Sequence, residues 1–316
     1  MDLFFDQAAL LLNTLSLGSV AFFVGIGVSS LIVLPKRYWY SLTPARKTQF
    51  MWLTVSMPWA LAIASPIFVG LSLDTTFPSL ANLMHWHHPD VFVLNSWHIY
   101  PTILLLIVFS FTLVKSGVLV ARHVRNFSAI SSFPDSEGIL DVKEPNAFSA
   151  GLLKPKTFIT KGLANELETS ELKIVQLHEL SHVINKDSLH KLIFGFMSSF
   201  FTGGVRKTIQ HEMALSMELK ADNFVVSNGI SKLDVAATLL KVTKIINAYE
   251  KSSDERSLQC GFSSNDVKVR IESLLTQHPA RSITNYSLYG SLFVISLFCL
   301  LSLDTFHHVV ETFFNH

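Results

Sequence analysis

Four stretches of the chain are apolar almost without interruption: about Ala8 to Leu34, Met51 to Leu73, Ile99 to Ala121 and Tyr286 to Leu303. Each is close to the roughly 20 residues a helix needs to cross a bilayer. A buried core helix can also be apolar throughout, but four such runs in one small chain argue for spans. Trp52, Tyr100, Tyr286 and Tyr289 lie at run ends, where an aromatic belt would sit. The first run is too long for a cleaved signal peptide and is preceded by Asp2 and Asp6 rather than basic residues, so it reads as retained.

Between the third and fourth runs the pattern becomes mixed. Asn126 to Glu144, with Pro134 and Gly138, reads as a linker. Asn146 to Thr160 predicts two short strands about a Gly151–Pro155 turn, offering an open strand to an extended peptide. A helix is expected over Thr169–Asp187, with Thr169 or Ser170 as its N-cap. Leu192–Thr202 is apolar but about eleven residues long, too short to span, and predicts a buried or membrane-grazing helix. Helices are expected over Val205–Ser227, Leu233–Tyr249 and Val267–Leu275, with a polar loop at Lys251–Asn265 and a stop at His278-Pro279. The expected domains are 1–121 (three spans with an outer loop, 74–98), 122–285 (globular) and 286–316 (a fourth span and short tail).

Composition agrees: 49% of the 316 residues are hydrophobic, 16% are charged, and mean hydropathy is +0.38, against about 25% charged in soluble domains. A net charge of +1 offers nucleic acid no bulk attraction. Cys260 and Cys299, one in a polar and one in an apolar setting, make neither a disulfide framework nor a zinc site. Basic residues set the orientation. Lys36, Arg37, Arg46 and Lys47 follow the first run, and Arg122 and Arg125 follow the third, while the 74–97 loop and the tail carry none. Both termini are therefore expected outside, with 122–285 in the cytoplasm at a bacterial inner membrane. Lys115 can snorkel to the cytoplasmic face. The outer loop's His85, His87, His88 and His98 read better as an interfacial loop than as a metal or pH-sensing site.

The candidate chemistry lies in Leu177-His178-Glu179-Leu180-Ser181-His182, an H-E-x-x-H. On a helix the two histidines share a face one turn apart and can reach one metal ion, and Glu179 can take a proton from water there. Surface histidines on an amphipathic helix are the bland alternative. Downstream, Glu218 and Asp222 stand at i and i+4. Glu218 would supply a third ligand, leaving a position open for water, and Asp222 would hold the second N–H of a ligating histidine. Glu212 is the rival ligand; only Glu218 has an aspartate one turn on. Asp187 is either a second group supporting the histidines or a helix-end charge. Arg270 and His211 are candidate oxyanion donors. One zinc ion per chain and peptide-bond hydrolysis are the expected cofactor and chemistry, with Glu179 as general base. A signalling scaffold with a structural zinc is the second reading, disfavoured because structural sites are usually closed by four ligands, commonly cysteines. A transporter is the third, disfavoured because the spans hold few ionisable groups.

Ala147-Phe-Ser-Ala-Gly-Leu-Leu-Lys-Pro155, Leu177-His-Glu-Leu-Ser-His182, Lys186-Asp187, Glu218-Leu-Lys-Ala-Asp222 and Val267-Lys-Val-Arg-Ile271 together resemble the BlaR/MecR beta-lactam sensor-transducer peptidases in motif and order. That resemblance implies a polytopic α-helical membrane protein of about four spans with a cytoplasmic α+β zincin-like (gluzincin) domain. It also implies ligands His178, His182 and Glu218, base Glu179, and cleavage of a repressor protein or of the chain itself in signal transduction. The family's large penicillin-binding sensor domain is missing after the last run, so beta-lactam sensing is not expected. HtpX-like membrane proteases share H-E-x-x-H and E-x-x-x-D, and would imply quality control of membrane proteins. Either way the partners are a protein or peptide substrate and the lipid bilayer, with no direct nucleic-acid contact.

Overall fold

The computed structural model describes residues 2–35, 39, 42–73, 99–131, 138–252, 264–276, 290 and 294. The outer loop 74–98 with its histidines, all but two residues of the fourth apolar run, residues 253–263 of the polar loop and His278-Pro279 lie outside the described residues.

The first three runs form helices α1 (Asp2–Val33), α2 (Pro44–Leu73) and α3 (Ile99–Ser131). Within them Ala8–Val33, Pro44–Ile67 and Ile99–Arg122 are long and apolar enough to cross a membrane. α2 starts a full two turns before its apolar run. Pro44 suits the first helical position, where its missing N–H costs nothing, and the Thr43 hydroxyl accepts from the Arg46 N–H. α1 and α2 pack closely through Leu17, Ala21, Met57 and Leu61. Gly25 permits the contact, since a Cβ there would stand 2.7 Å from Pro58 Cα. α3 runs ten residues beyond its apolar stretch, into the first third of the expected linker. Ala121–Ser131 contains neither glycine nor proline, so nothing local stops the helix.

The expected strand pair is present as β2 (Ala147–Ala150) and β3 (Lys156–Thr160), antiparallel, with Ala147 opposite Ile159 and Ala150 opposite Lys156. Gly151 begins the turn between them at φ +111, a conformation L side chains resist. A third strand, β1 (Ile139–Leu140), pairs parallel to β3 inside the supposed linker. The order β1-β3-β2 leaves β2 at an edge. A short helix α4 (Lys161–Ala164) follows, capped by Thr160.

α5 (Thr169–Ile184) carries the H-E-x-x-H. Its cap is Glu168, not Thr169 or Ser170: Glu168 and Glu171 form a reciprocal capping box, with the Glu168 N–H donating to Glu171 at 2.8 Å. The helix ends earlier than expected. Lys186 turns left-handed at φ 50, and Asp187 opens α6 (Asp187–Ser198), so the apolar segment expected from Leu192 begins a turn sooner. α7 (Gly203–Ser227), α8 (Lys232–Ser252) and α9 (Ser264–Leu275) complete the described chain.

α7 joins two cores. Val205, Ile209, Met213 and Met217 pack with Val33, Trp39, Phe50, Met51 and Val55 of the membrane region and with Phe194 and Phe201. At its other end Val225 packs with Ile174 of α5, Val235 and Ala236 of α8, and Leu274 of α9. α6 is fastened to the membrane region by an aromatic cluster in which Phe196 stacks on Trp59 and meets Phe109 edge-on.

Candidate metal centre

One turn of α5 presents His178 and His182, and α7, crossing beside it, presents Glu218. The two Nε2 atoms lie 3.3 Å apart. Glu218 Oε2 is 3.3 Å from His178 Nε2, and Oε1 is 3.7 Å from His182 Nε2. All three donor atoms fall within 4.8 Å of one another, a group able to hold a metal ion.

The far nitrogens of both rings are held. Asp222, one turn beyond Glu218, stands 3.1 Å from His178 Nδ1. Asp187, the first residue of α6, stands 2.7 Å from His182 Nδ1. Each carboxylate favours a proton on Nδ1 and so leaves Nε2, the inward nitrogen, with its lone pair for a metal. Arg270, from α9, braces the carboxylates. It donates from Nε to Asp222 Oδ2 at 2.8 Å and from Nη2 to Oδ1 at 2.7 Å, and its Nη1 stands 3.2 Å from Glu218 Oε2.

Charge is concentrated here among largely buried side chains. Burial works against the charged form of His178, but hydrogen bonds to Asp222 and Glu218 outweigh it and raise its pKa to about 9. Burial disfavours the Glu218 carboxylate, yet His178 and Arg270 hold its pKa well below the usual range. Asp222 is lowered likewise against its own burial, by Arg270 and His178. Glu179 moves the other way: burial raises its pKa, opposed by the two histidines. Two imidazoles and one carboxylate, both rings backed by carboxylates, form the donor set a catalytic zinc uses. Among the described residues the group ends at three ligands, which suits an open site better than a closed structural one.

The centre lies in a cleft of about 240 Å³. Ala147, Phe148 and Ser149 of edge strand β2 form one side, and Val235, Leu239 and Val242 of α8 line the apolar wall. Glu179, Asp187, Asp222 and Arg270 all line it. Two residues singled out from the sequence stand elsewhere. Glu212 is buried against Lys47 of α2, with Nζ–Oε2 3.0 Å, which removes it as a ligand. His211 is half exposed, 3.4 Å from Asp266, and does not line the cleft. Lys191 also lines it; the apolar pattern places the start of that helix at Leu192, five residues after its true start at Asp187, and so leaves Lys191 out. Its position four residues after Asp187 is the local signal that could have found it.

Residues 118–281, about half of the chain, match the model of peptidase family M48. "Protease HtpX homolog 2" of Methanosarcina mazei is 37% identical over 79 residues, covering 24% of this chain and 27% of the relative. "Protease HtpX homolog" of Trichormus variabilis is 25% identical over 139 residues, covering 43% of each. The chain thus spans less than half the length of the curated relatives it matches. No solved structure matches.

Proposed function

The chain belongs to peptidase family M48, and we propose that it is a membrane-embedded zinc endopeptidase acting on a protein or peptide beside the bilayer. The observation that carries this reading is the convergence of His178, His182 and Glu218 with buried Glu179 beside them. His178, His182 and Glu218 would hold the ion, one per chain. When bound, zinc supplies a Lewis acid for the scissile carbonyl and lowers the pKa of water toward 7.

The residues of the chain do the rest. Asp222 and Asp187 fix the two imidazoles, and Arg270 holds Asp222 and Glu218 in register. Glu179, made more basic by burial, takes the proton of the attacking water and passes it to the leaving amine. The edge strand β2 offers unpaired backbone groups along the cleft, so an extended peptide can add as a further strand. A zincin-like domain at 122–285, four spans, outside termini and a cytoplasmic site at a bacterial plasma membrane complete the reading. The basic loops after the first and third runs support that topology.

The relatives named as HtpX homologues favour an HtpX-like protease, a resemblance that implies quality control of membrane proteins. The sensor-transducer role, cleavage of a repressor or of the chain itself, is the second reading; the order of motifs from Ala147 to Ile271 favours it. The test is zinc content and hydrolysis of co-reconstituted membrane-protein and soluble repressor substrates by wild type and Glu179→Gln. Zinc in both, with cleavage in wild type alone, is the expected result. Cleavage that survives Glu179→Gln would overturn the assignment.

A further inference from the structure

Two basic side chains of the lysine and arginine type line the cleft among the described residues, Arg270 and Lys191, and their settings differ. Arg270 is buried and its guanidinium is committed to two carboxylates. Turning it toward a substrate would strip buried Asp222 of both guanidinium bonds, a heavy penalty for a buried carboxylate. Lys191 stands one turn past Asp187 on the same face of α6. Its side chain is half exposed, and Nζ lies 3.9 Å from Glu218 Oε1, near the centre yet beyond hydrogen-bond length. The ammonium therefore reaches the edge of the His178–His182–Glu218 group with its donors still open to the cleft. His211, the other candidate donor read from the sequence, is on another surface.

We propose that Lys191 is the oxyanion donor of this site: its ammonium donates to the scissile carbonyl oxygen as that oxygen becomes negative. The proposal rests on the peptidase reading above. In the addition step a water oxygen bonds to the carbonyl carbon, the carbonyl π pair moves to oxygen beside Lys191, and the water proton passes to Glu179. In the breakdown step that pair re-forms the carbonyl, the C–N bond breaks, and Glu179 delivers its proton to the departing nitrogen. Lys191 exchanges no proton in either step. A half-exposed ammonium on a four-carbon stem is less preorganised than a backbone oxyanion hole, but a charge-assisted bond compensates.

The experiment compares the full-length, zinc-loaded protein in detergent as wild type, Lys191→Met and Lys191→Arg. Three quantities are measured: bound zinc, kcat and KM on a fluorogenic peptide, and affinity for a phosphonamidate peptide whose tetrahedral anionic group mimics the transition state. Lys191→Met is expected to keep its zinc, to lose about 10²-fold in kcat at similar KM, and to lose a like factor in phosphonamidate affinity. Affinity for the corresponding product peptide should stay within about twofold, since uniform binding is untouched. Lys191→Arg should recover part of both losses. Wild-type kcat in Lys191→Met overturns the proposal, as does unchanged phosphonamidate affinity. So does a loss of zinc that by itself accounts for the lost activity, because Lys191 would then act through Glu218. The phosphonamidate measurement needs no turnover, so it judges Lys191 separately. Failure of the peptidase reading shows instead as wild-type cleavage by Glu179→Gln.

Discussion

Glu212 and Glu218 stand six residues apart on α7, and each has a cation beside it, yet they serve different halves of the molecule. Glu212 is buried and meets the single ammonium of Lys47, which itself lies over the Trp39 ring at 5.7 Å. Glu218 meets two imidazoles and lines a cleft, with Arg270 behind it. A carboxylate whose opposing group is one buried lysine is saturated, because its charge is matched and no donor remains to share an ion. A carboxylate opposite two imidazoles faces groups that can give up their protons and become ligands. The same residue type thus fastens the helix to the membrane region at one end and presents a ligand at the other. The position of the metal-binding half is fixed by the seating of the membrane half.

The sharpest way to break that contrast is to exchange the fates of the two glutamates. Glu218→Ala is expected to abolish zinc retention and reduce hydrolysis by more than about 10⁴-fold, since only two ligands remain. Metal analysis of the purified variant decides it; full zinc content would return Glu212 to candidacy. Glu212→Ala is the next largest effect, and it should fall on stability. Removing the carboxylate from the buried Lys47–Glu212 pair costs about 3–5 kcal/mol, read as a lowered thermal midpoint in detergent, with zinc still bound below the transition. The double variant Lys47→Met, Glu212→Met should recover most of that loss. If Glu212→Ala strips zinc at temperatures where the fold is intact, the two ends of α7 are not separable as described.

The support around the ligands sharpens the comparison further. Asp222→Ala removes the group on His178 Nδ1 and the partner of Arg270, and should weaken zinc binding by about 10- to 100-fold. Competition with a chelator measures it. The metal-free protein should also respond to pH in two opposed ways. His178 has its folded pKa raised to about 9 from 6.5, so its charged form stabilises the metal-free fold. That contribution is complete below about pH 6.5 and is lost as pH rises through about 9. Zinc must displace that proton, so its affinity should rise about tenfold per pH unit across the same window. Thermal melts of the chelated protein and zinc titrations from pH 6.5 to 9 test both. A flat zinc affinity would mean that no proton leaves His178 on binding.

The metal end of α7 was legible in the sequence and the membrane end was not, for a physical reason. H-E-x-x-H and E-x-x-x-D are each one helical turn, so the chemistry they need is written in local spacing. The three described spans were legible as length, and the β2–β3 pair as two short runs about a turn. The Lys47–Glu212 pair joins positions 165 residues apart, which no local pattern records. Arg270 reads from the sequence as a candidate oxyanion donor, but its commitment to Asp222 depends on how α9 lands against α7. The break at Lys186 was hidden because a left-handed lysine costs only about 1–2 kcal/mol and carries no sequence signal of its own. β1 escaped because two residues cannot show an alternation.

His211 provides the smallest expected effect and the finest test of the boundary along α7. It is the immediate neighbour of Glu212, but it points to a different surface: its side chain is 49% exposed and its Nε2 is 3.4 Å from Asp266 of α9. A pair this open to solvent is worth about 0–1 kcal/mol, because water screens the charges and two side chains lose freedom in meeting. His211→Ala should therefore shift the thermal midpoint by no more than a few degrees. It should leave zinc content unchanged and hydrolysis within about twofold. The same measurements made on Glu212→Ala give the contrast directly, one residue away on the same helix. A tenfold fall in hydrolysis in His211→Ala, with zinc intact, would extend the substrate cleft down the membrane-seated half of α7. The division between an anchoring end and a reacting end would then have to be redrawn N-terminal to position 211.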